Sequence, residues 1–589
     1  MSARKMNSAD LQQLWADLAV EELIRCGVEY FCVAPGSRST PLTMAVAANP
    51  KARQLVHFDE RGLGFFALGY AAGRKGGVAV ITTSGTAVAN LLPAVVEASK
   101  KKLPLVVLSA DRPPELRQTG ANQTITQPGI FSGYVRWETD LPVACAETDP
   151  AFVLTTIDQA VYRSQGEIPG PVHINWMFRE PFAAKSQQGR LGSAVGQALY
   201  GWARTARPFT TYFSPETLPA AAAVEAVTGR VLSAKTGVIV CGKLPGPTAT
   251  RHVLRLAQKL QWPVLPDITS GLRFAPHGDL VIRHYQHLLP HLRGGVDAVL
   301  HLGGRITAKS YYEWLARCSP RDMIMVLNHP LRNDPQHQVE IRVQGCPGEF
   351  ARKLAQAVRQ RPAGQQLKQF QRKERLAQEA LRLWGAGESR ISEPAVMQIV
   401  SSCLPKPHAL FVSNSLAVRE MDAFADGRHE VPMGANRGAS GIDGILASAA
   451  GFAKGLNRPV SILVGDLAFL YDMNSLALWS GDIPPAVIVV LNNNGGGIFE
   501  FLPIAANNKD FERYFAAPHG MHFDDIARQF NMRYERPETT ASFEKAYCAA
   551  VKTASATIIE VVTDRRENFR LHQTIANRIR KILGKQERG

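Results

Sequence analysis

Val460-Ser461-Ile462-Leu463-Val464-Gly465-Asp466 and Ala486-Val487-Ile488-Val489-Val490-Leu491-Asn492-Asn493-Asn494-Gly495-Gly496-Gly497 decide the reading of this chain. Each opens as a short, near-continuous run of apolar residues and ends in polar residues beside glycine. Such runs suit strands buried on both faces, as in a parallel sheet covered by helices. Asp466 and Asn493 lie 27 positions apart, each at the C-terminal end of its strand. In a parallel sheet those ends share one edge, and ligands bind there. A carboxylate, an amide oxygen and the carbonyls of a Gly-rich turn form a set of hard oxygens. That set suits Mg²⁺, which keeps a diphosphate as a further ligand. Glycine lets the backbone approach phosphate closely. Taken alone, a strand-end Asp or an Asn-Gly turn is more often a cap or a plain turn. The pairing of both, between two buried strands, carries the chemistry.

The same alternation extends in both directions. In the first third, Asn7 or Ser8 can cap a helix through Leu11, Leu14, Leu18 and Leu23, ended by Gly27. Strands are expected at Tyr30–Val33, Gln54–Phe58, Val78–Thr82 and Leu105–Ser109, with a small-residue helix over Gly62–Ala72. Residues from about 183 to 215 are polar and Gly-rich and form a connector. A second α/β unit has strands at Gly237–Val240, Pro263–Leu265, Ala298–Leu302 and Met323–Leu327. A charged, partly helical stretch from Gln360 to Pro394 precedes a third unit, which adds Leu410–Val412 and Thr557–Val562 to the two opening strands. Three doubly wound, parallel-sheet α/β domains follow, over residues 8–183, 215–356 and 392–565, with a basic C-terminal helix over 566–589.

Composition bounds the alternatives. The chain has 589 residues, 45% hydrophobic and 20% charged, ordinary for a globular protein of several domains. No apolar run reaches the ~18–20 residues of a membrane span, and the N-terminus lacks the apolar core of a secretory signal, so a cytoplasmic location is the expectation. Lys and Arg number 67 against 51 Asp and Glu, a net charge of +16. Nucleic acid, a membrane surface or acidic small molecules could each answer such a charge. The cations are spread along the chain rather than set in a stripe with aromatics, which argues against nucleic acid. The one dense run is Arg565–Gly589, where Phe569, His572, Ala576, Ile579 and Leu583 fall at helical spacing. It reads as a packed amphipathic helix with a solvated basic face. None of the eight Cys form a C-x-x-C pair, and most read as small core residues of a reduced compartment. A dinucleotide fold is also excluded, since no G-x-G-x-x-G joins a strand to a helix.

Gly465-Asp466 followed by Asn492-Asn493 resembles the thiamine diphosphate and Mg²⁺ signature of the transketolase, pyruvate decarboxylase and acetolactate synthase superfamily, with Leu467 where that signature usually has Gly. The resemblance implies a carboxylate facing the cofactor's aminopyrimidine ring, and Glu60 in His57-Phe58-Asp59-Glu60-Arg61 occupies the matching strand-to-helix edge. A useful Glu there should be buried and raised in pKa. Longer segments narrow the family. Ala34-Pro35-Gly36-Ser37-Arg38-Ser39-Thr40-Pro41-Leu42, Ser109-Ala110-Asp111-Arg112-Pro113-Pro114-Glu115-Leu116, Gly120-Ala121-Asn122-Gln123-Thr124-Ile125, Asn436-Arg437-Gly438-Ala439-Ser440-Gly441-Ile442-Asp443-Gly444 and the Leu470-Tyr471-Asp472 that follows Leu467 resemble the 2-succinyl-5-enolpyruvyl-6-hydroxy-3-cyclohexene-1-carboxylate synthase family of menaquinone and phylloquinone biosynthesis. The match runs from about residue 8 to the C-terminal helix.

That resemblance implies decarboxylation of 2-oxoglutarate and 1,4-addition of the resulting succinyl unit to isochorismate, with thiamine diphosphate and Mg²⁺ or Mn²⁺. It assigns Glu60 and Gln123 to catalysis. Ser37, Arg38, Arg112 and Lys309 would face isochorismate. Ser415, Arg419 and Arg437 would hold the carboxylate end of the 2-oxoglutarate-derived unit. Asp466, Asn493 and Gly495 would bind the metal, while Ile442, Ile498, Phe499 and Leu502 would shape the cofactor pocket. The residue types agree, because two dicarboxylates and a diphosphate need several fixed cations, preferably Arg. Ser310 follows Lys309 where some relatives carry Arg. No His-His pair occurs, and His57 and His173 read as satisfied structural groups. The family implies a homodimer at minimum, with tetramers left open, and no nucleic-acid or stable membrane partner. An acetolactate-synthase-like 2-oxo acid enzyme is the alternative within the superfamily, and a basic nucleic-acid-binding protein the alternative outside it.

Overall fold

The computed structural model describes residues 7–182, 199–274, 277–292, 294–386, 389–506 and 509–585. Part of the expected connector, residues 183–198, and the last four residues of the expected C-terminal helix lie outside them. The described chain contains three parallel sheets. The first holds β1 (Tyr30–Val33), β2 (Arg53–Val56), β3 (Ala79–Thr82), β4 (Leu105–Asp111), β5 (Glu138–Leu141) and β6 (Pro171–Met177), in the order β2-β1-β3-β4-β6-β5. The second holds β7 (Gly237–Cys241), β8 (Val264–Pro266), β9 (Ala298–Leu302), β10 (Asp322–Leu327) and β11 (Ile341–Gln344), in the order β11-β10-β9-β7-β8. The third holds β12 (Ala409–Val412), β13 (Met433–Gly434), β14 (Val460–Gly465), β15 (Ala486–Asn492), β16 (Arg533–Glu535) and β17 (Thr557–Val562), in the order β13-β12-β14-β15-β17-β16.

The central strands are buried along their length because helices cover both faces, which is why their sequences run apolar without alternation. The opening stretches form β14 and β15 as expected, and Gly465 stands level with Leu491 in their register. Asp466 and Asn493 therefore leave the sheet at the same edge. Two strand orders reverse beside β1 and beside β12, giving the crevices in which α/β folds bind ligands.

The chain falls into two compact units. One comprises residues 1–215, 436–458 and 471–484, and so joins the first sheet to two segments that flank β14 in sequence. Its Glu60–Arg74 helix crosses the Ile445–Leu456 helix almost backbone to backbone. A Cβ on Gly69 would stand 2.0 Å from the Ser448 carbonyl oxygen, and one on Gly451 would stand 1.9 Å from that of Phe66. Small residues at those crossings set the position of the helix that begins with Glu60. The other unit comprises 216–435, 459–470 and 485–589, and holds the second and third sheets, with one extended apolar core shared between them and a second cluster packed on the second sheet.

Cys32 and Cys241 are fully buried, and Cys26, Cys318 and Cys403 pack half-buried against the apolar core, as expected for most of the eight cysteines. Cys26 also donates to Asp158 Oδ1 at 3.3 Å. One sequence reading is corrected. In the Arg565–Lys585 helix, Ile575 rather than Ala576 faces the core with Ile579 and Leu583, and Asn568 is buried one turn from His572. Two polar groups thus occupy positions that spacing alone assigns to apolar packing. No helix among the described residues is long and apolar enough to cross a membrane.

Candidate active site

In the first unit the site grows from the C-terminal ends of β1, β3 and β4. The loop after β1 carries Ser37, exposed, and Arg38, buried. Gly36 lies so close to Thr83, just beyond β3, that a Cβ would meet the Thr83 side chain at 2.3 Å. Arg38 donates to the Phe178 carbonyl at 2.8 Å, reaches Glu180 at 3.3 Å and lies over the Phe182 ring. Arg112, at the end of β4, is also buried and donates to Ser84 Oγ. Burial, then the nearby Arg112 guanidinium, lowers the pKa of Arg38, and burial lowers that of Arg112. Two desolvated like charges are stabilised by an anion. Gln123, exposed and at φ 57°, donates to the Ser84 carbonyl at 3.0 Å. Ser37, Arg38, Arg112 and Gln123 are thus gathered around the loop Thr83-Ser84-Gly85. Sequence reading missed Ser84, although a Gly-containing turn between a buried strand and a helix start was a usable signal.

Glu60 begins its helix beside Asp59, whose side chain accepts the Arg61 amide hydrogen at 2.9 Å and takes Asn474 Nδ2 at 2.5 Å. Glu60 is half-buried in the single chain, short of the full burial expected. Arg61 bridges to Asp472 at 3.3 Å, fixing this helix start. His57 departs from the expected satisfied role. Its Nε2 is buried without a hydrogen-bond partner, and burial lowers its pKa. His173 is satisfied on one side only: its Nε2 bonds to Ser109 Oγ at 2.7 Å, while its buried Nδ1 has no hydrogen-bond partner and lies 3.8 Å from Glu138. Arg437 and Ile442, both half-buried, lie on a loop that Glu97 holds by accepting the Gly438 and Ala439 amide hydrogens at 2.7 and 2.6 Å.

In the second unit, Asp466 is 2% exposed. Its Oδ1 accepts the Leu467 amide at 2.7 Å and its Oδ2 the Gly495 amide at 2.8 Å. Burial raises its pKa, offset by those amides and by His519. His519 went unread in the sequence. The Met521 amide donates to its Nδ1 at 3.0 Å, so the neutral ring keeps its proton on Nε2, 3.2 Å from Asp466 Oδ2. Asn493 is 6% exposed, and its Oδ1 is buried with no hydrogen-bond partner. An orphaned amide oxygen costs free energy unless a ligand satisfies it. Gly495 takes φ 130°, and a Cβ there would strike the Ala516 carbonyl oxygen at 2.0 Å. The Asp466 carboxylate, the orphaned Asn493 Oδ1 and the Gly495 carbonyl form an oxygen set that fits Mg²⁺.

Behind Asn493 stands a buried carboxyl pair. Glu393 faces Glu420, and both are 1% exposed. Burial and the neighbouring Glu420 push Glu393 well above the usual carboxylate range, and burial pushes Glu420 up to about 7.

Ser415 caps the Leu416–Phe424 helix just past β12 at φ 63°, and Arg419, one turn on, donates to its carbonyl oxygen. A non-glycine residue at such an angle is uncommon and concentrates at functional positions. Ile498 and Phe499 are half-buried, and Leu502 is 45% exposed. Lys309 begins the Lys309–Cys318 helix, with its exposed ammonium 3.0 Å from Glu313. It therefore has the solvated, ion-paired setting of a surface lysine.

The chain matches three family models: "Thiamine pyrophosphate enzyme, N-terminal TPP binding domain" over residues 15–130, "Middle domain of thiamine pyrophosphate" over 194–412, and "Thiamine pyrophosphate enzyme, C-terminal TPP binding domain" over 426–561. Among solved structures it is similar to benzoylformate decarboxylase from Polynucleobacter necessarius (TM-score 0.70, 15% identity, 94% of this chain and 98% of that one). It is also similar to a thiamine diphosphate-dependent 4-hydroxybenzoylformate decarboxylase from Rhodococcus jostii RHA1 (TM-score 0.69, 18% identity, 93% and 99%). At those identities the likeness is one of fold. Sequence relatives are far nearer. The 2-succinyl-5-enolpyruvyl-6-hydroxy-3-cyclohexene-1-carboxylate synthase of Rubrobacter xylanophilus is 46% identical over 96% of this chain and 97% of its own length. The enzyme of the same name from Salinibacter ruber is 40% identical over 95% of each. With three thiamine diphosphate-enzyme segments in order and relatives of one name along nearly the whole length, the chain belongs to the 2-succinyl-5-enolpyruvyl-6-hydroxy-3-cyclohexene-1-carboxylate synthase family.

Proposed function

We propose that this chain is a transferase that uses thiamine diphosphate and Mg²⁺, with Mn²⁺ able to substitute, to decarboxylate 2-oxoglutarate and add the succinyl unit 1,4 to isochorismate. The observation that carries the proposal is the orphaned Asn493 Oδ1 beside Asp466 and Gly495, in a chain 46% identical to a synthase of that name. Bound thiamine diphosphate supplies the nucleophilic carbon and the electron sink that decarboxylation needs. The protein's residues do the rest. Asp466, Asn493 Oδ1 and the Gly495 carbonyl hold the metal, and the glycines of the turn admit the diphosphate. Glu60 holds a proton at its carboxyl group toward the pyrimidine side of the cofactor.

Arg38 and Arg112, both buried and with the Arg112 charge felt at Arg38, bind the carboxylates of isochorismate with Ser37. Ser415, Arg419 and Arg437 bind the distal carboxylate of 2-oxoglutarate, and Gln123 positions the reacting carbon. Ile442, Ile498, Phe499 and Leu502 shape the cofactor pocket and exclude water. Lys309 has the weakest support, given its pairing with Glu313. The active assembly is a homodimer at minimum, since the family reading draws the Glu60 side and the Asp466 side of one centre from different subunits. The domains are those read from the sequence, 8–183, 215–356 and 392–565, followed by the helix 566–589. An acetolactate-synthase-like reaction is disfavoured, because a pyruvate-sized substrate does not need so many arginines. The test is an assay of the purified protein for isochorismate consumption and carbon dioxide release. Both should require 2-oxoglutarate, thiamine diphosphate and Mg²⁺ together. Equal carbon dioxide release from pyruvate would overturn the substrate assignment.

A further inference from the structure

An asparagine amide can face a cation with its oxygen or, rotated by half a turn, with its NH₂ group, and only the first binds metal. What fixes the choice at Asn493 is visible on its other side. Asn493 Nδ2 donates to Glu393 Oε1 at 3.0 Å. The same oxygen accepts Thr563 Oγ1 at 3.0 Å. Glu393 opens the Glu393–Cys403 helix, 100 positions before Asn493 in sequence, and is buried. An acceptor already committed to two donors repels an amide oxygen, so Asn493 must turn its NH₂ group toward Glu393 and its Oδ1 away.

Glu393 is itself held from behind. Its Oε2, unpartnered by any donor, faces Glu420. Glu420 Oε1 accepts Asn568 Nδ2 and meets His572 Nε2, both at 2.8 Å, from the C-terminal Arg565–Lys585 helix. A proton resting between the two carboxyl groups leaves Glu393 Oε1 an acceptor, so the orientation of Asn493 does not depend on it. The C-terminal helix thereby acquires a task beyond covering the core.

We propose that Glu393 is a positioning residue for the metal centre, a buried acceptor that fixes the Asn493 amide with its oxygen toward the cation. This inference rests on the reading of Asn493 as a metal ligand. It assigns Glu393 no contact with metal or substrate.

The test is Mn²⁺ binding to the full-length protein with saturating thiamine diphosphate, measured from the free Mn²⁺ signal in electron paramagnetic resonance. Supporting residues behind a metal ligand typically change affinity ~10–100-fold. Glu393→Met should weaken Mn²⁺ binding by ~10–100-fold, and Glu393→Gln, which keeps an oxygen acceptor, by less than ~3-fold. In an Asn493→Ala background, Glu393→Met should cost nothing further, an outcome a merely structural role would not give. Should Glu393→Met fail to fold, Glu393→Asp retracts the acceptor by one methylene and should still weaken binding. Unchanged Mn²⁺ affinity in a folded Glu393→Met or Glu393→Asp protein, while Asn493→Ala weakens it, would overturn the inference alone. Unchanged affinity in Asn493→Ala would overturn the metal-site reading beneath it.

Discussion

Gly451→Ala probes the helix crossing that fixes Glu60. The added Cβ would stand 1.9 Å from the Phe66 carbonyl oxygen and 2.8 Å from the Tyr70 amide nitrogen, where real Cβ contacts essentially never fall below 3.0 Å. Both obstacles are backbone atoms of the Glu60–Arg74 helix, so no side chain can rotate out of the way, and the helices must separate by ~1 Å or more. Overpacking of this kind costs ~1–3 kcal/mol. Replacing Gly by Ala inside a helix returns ~1 kcal/mol. A rigid obstacle puts the cost at the upper end, for a net loss of ~2 kcal/mol. In a unit of this size that lowers the melting temperature by ~4–8 °C. A ~1 Å displacement of a catalytic group can cost ~10²-fold in rate, so kcat should fall ~10–100-fold as Glu60 moves with its helix. Differential scanning calorimetry of the apo protein, paired with turnover at saturating substrates, reads both effects. Gly229→Ala is the control. Gly229 lies in the Ala221–Ser233 helix with nothing near its missing Cβ, and the change should be neutral or slightly stabilising. If Gly451→Ala melts at or above the parent temperature, the close-crossing argument is wrong.

The other expectations concern charge. Arg419→Ala should raise the KM for 2-oxoglutarate ~10–100-fold, the worth of a charged hydrogen bond, and change that for isochorismate little. Arg38→Ala should do the reverse, and exchanged patterns would show that the two carboxylate subsites are misassigned. Asp466→Asn should raise the Mg²⁺ concentration needed for half-maximal activity by ~10²-fold, since the proposed metal set loses its carboxylate charge; an unchanged requirement would put the metal elsewhere. Asp472 is held at about 6 by burial, against the stabilising pull of amides and Arg61. Its unfolded value is ~3.9. The folded state therefore binds this proton more tightly than the unfolded chain, and its contribution to stability falls as pH rises from ~4 to ~6, then stays constant. Asp472→Asn should flatten that part of the stability profile in denaturant melts taken across pH 4–7, and an unaltered slope would contradict it.

The strands around the site were legible because burial on both faces writes continuous apolar runs, as in β14 and β15. The strands that reading missed write no such pattern. β16 is Arg-Tyr-Glu on an outer edge, β13 has two residues, β5 and β11 are only partly buried, and the fully buried β6 interrupts its apolar run with His173 and Asn175. Asp466 and Asn493 were legible because each directly follows its strand. His519 and Glu393 were not, because they reach the same edge from 53 and 100 positions away through the order of the sheet. The C-terminal helix was legible as amphipathic. The buried use of Asn568 and His572 depends on Glu420, which no periodicity within the helix can reveal. Of the net +16, Arg38 and Arg112 lie desolvated beside one another, whereas Lys309 is paired at the surface. Charge counting in the sequence cannot separate those two cases.

Glu60→Gln tests the central claim most directly, through exchange of the cofactor's C2 proton for deuterium, followed by nuclear magnetic resonance after acid quench, with thiamine diphosphate binding measured in parallel by calorimetry. Glutamine keeps the size of the side chain and removes its acid-base function. The account predicts that binding persists while exchange slows by ~10²–10⁴-fold, the usual worth of a positioned general acid-base group. Exchange at the parent rate, with the cofactor bound, would contradict it.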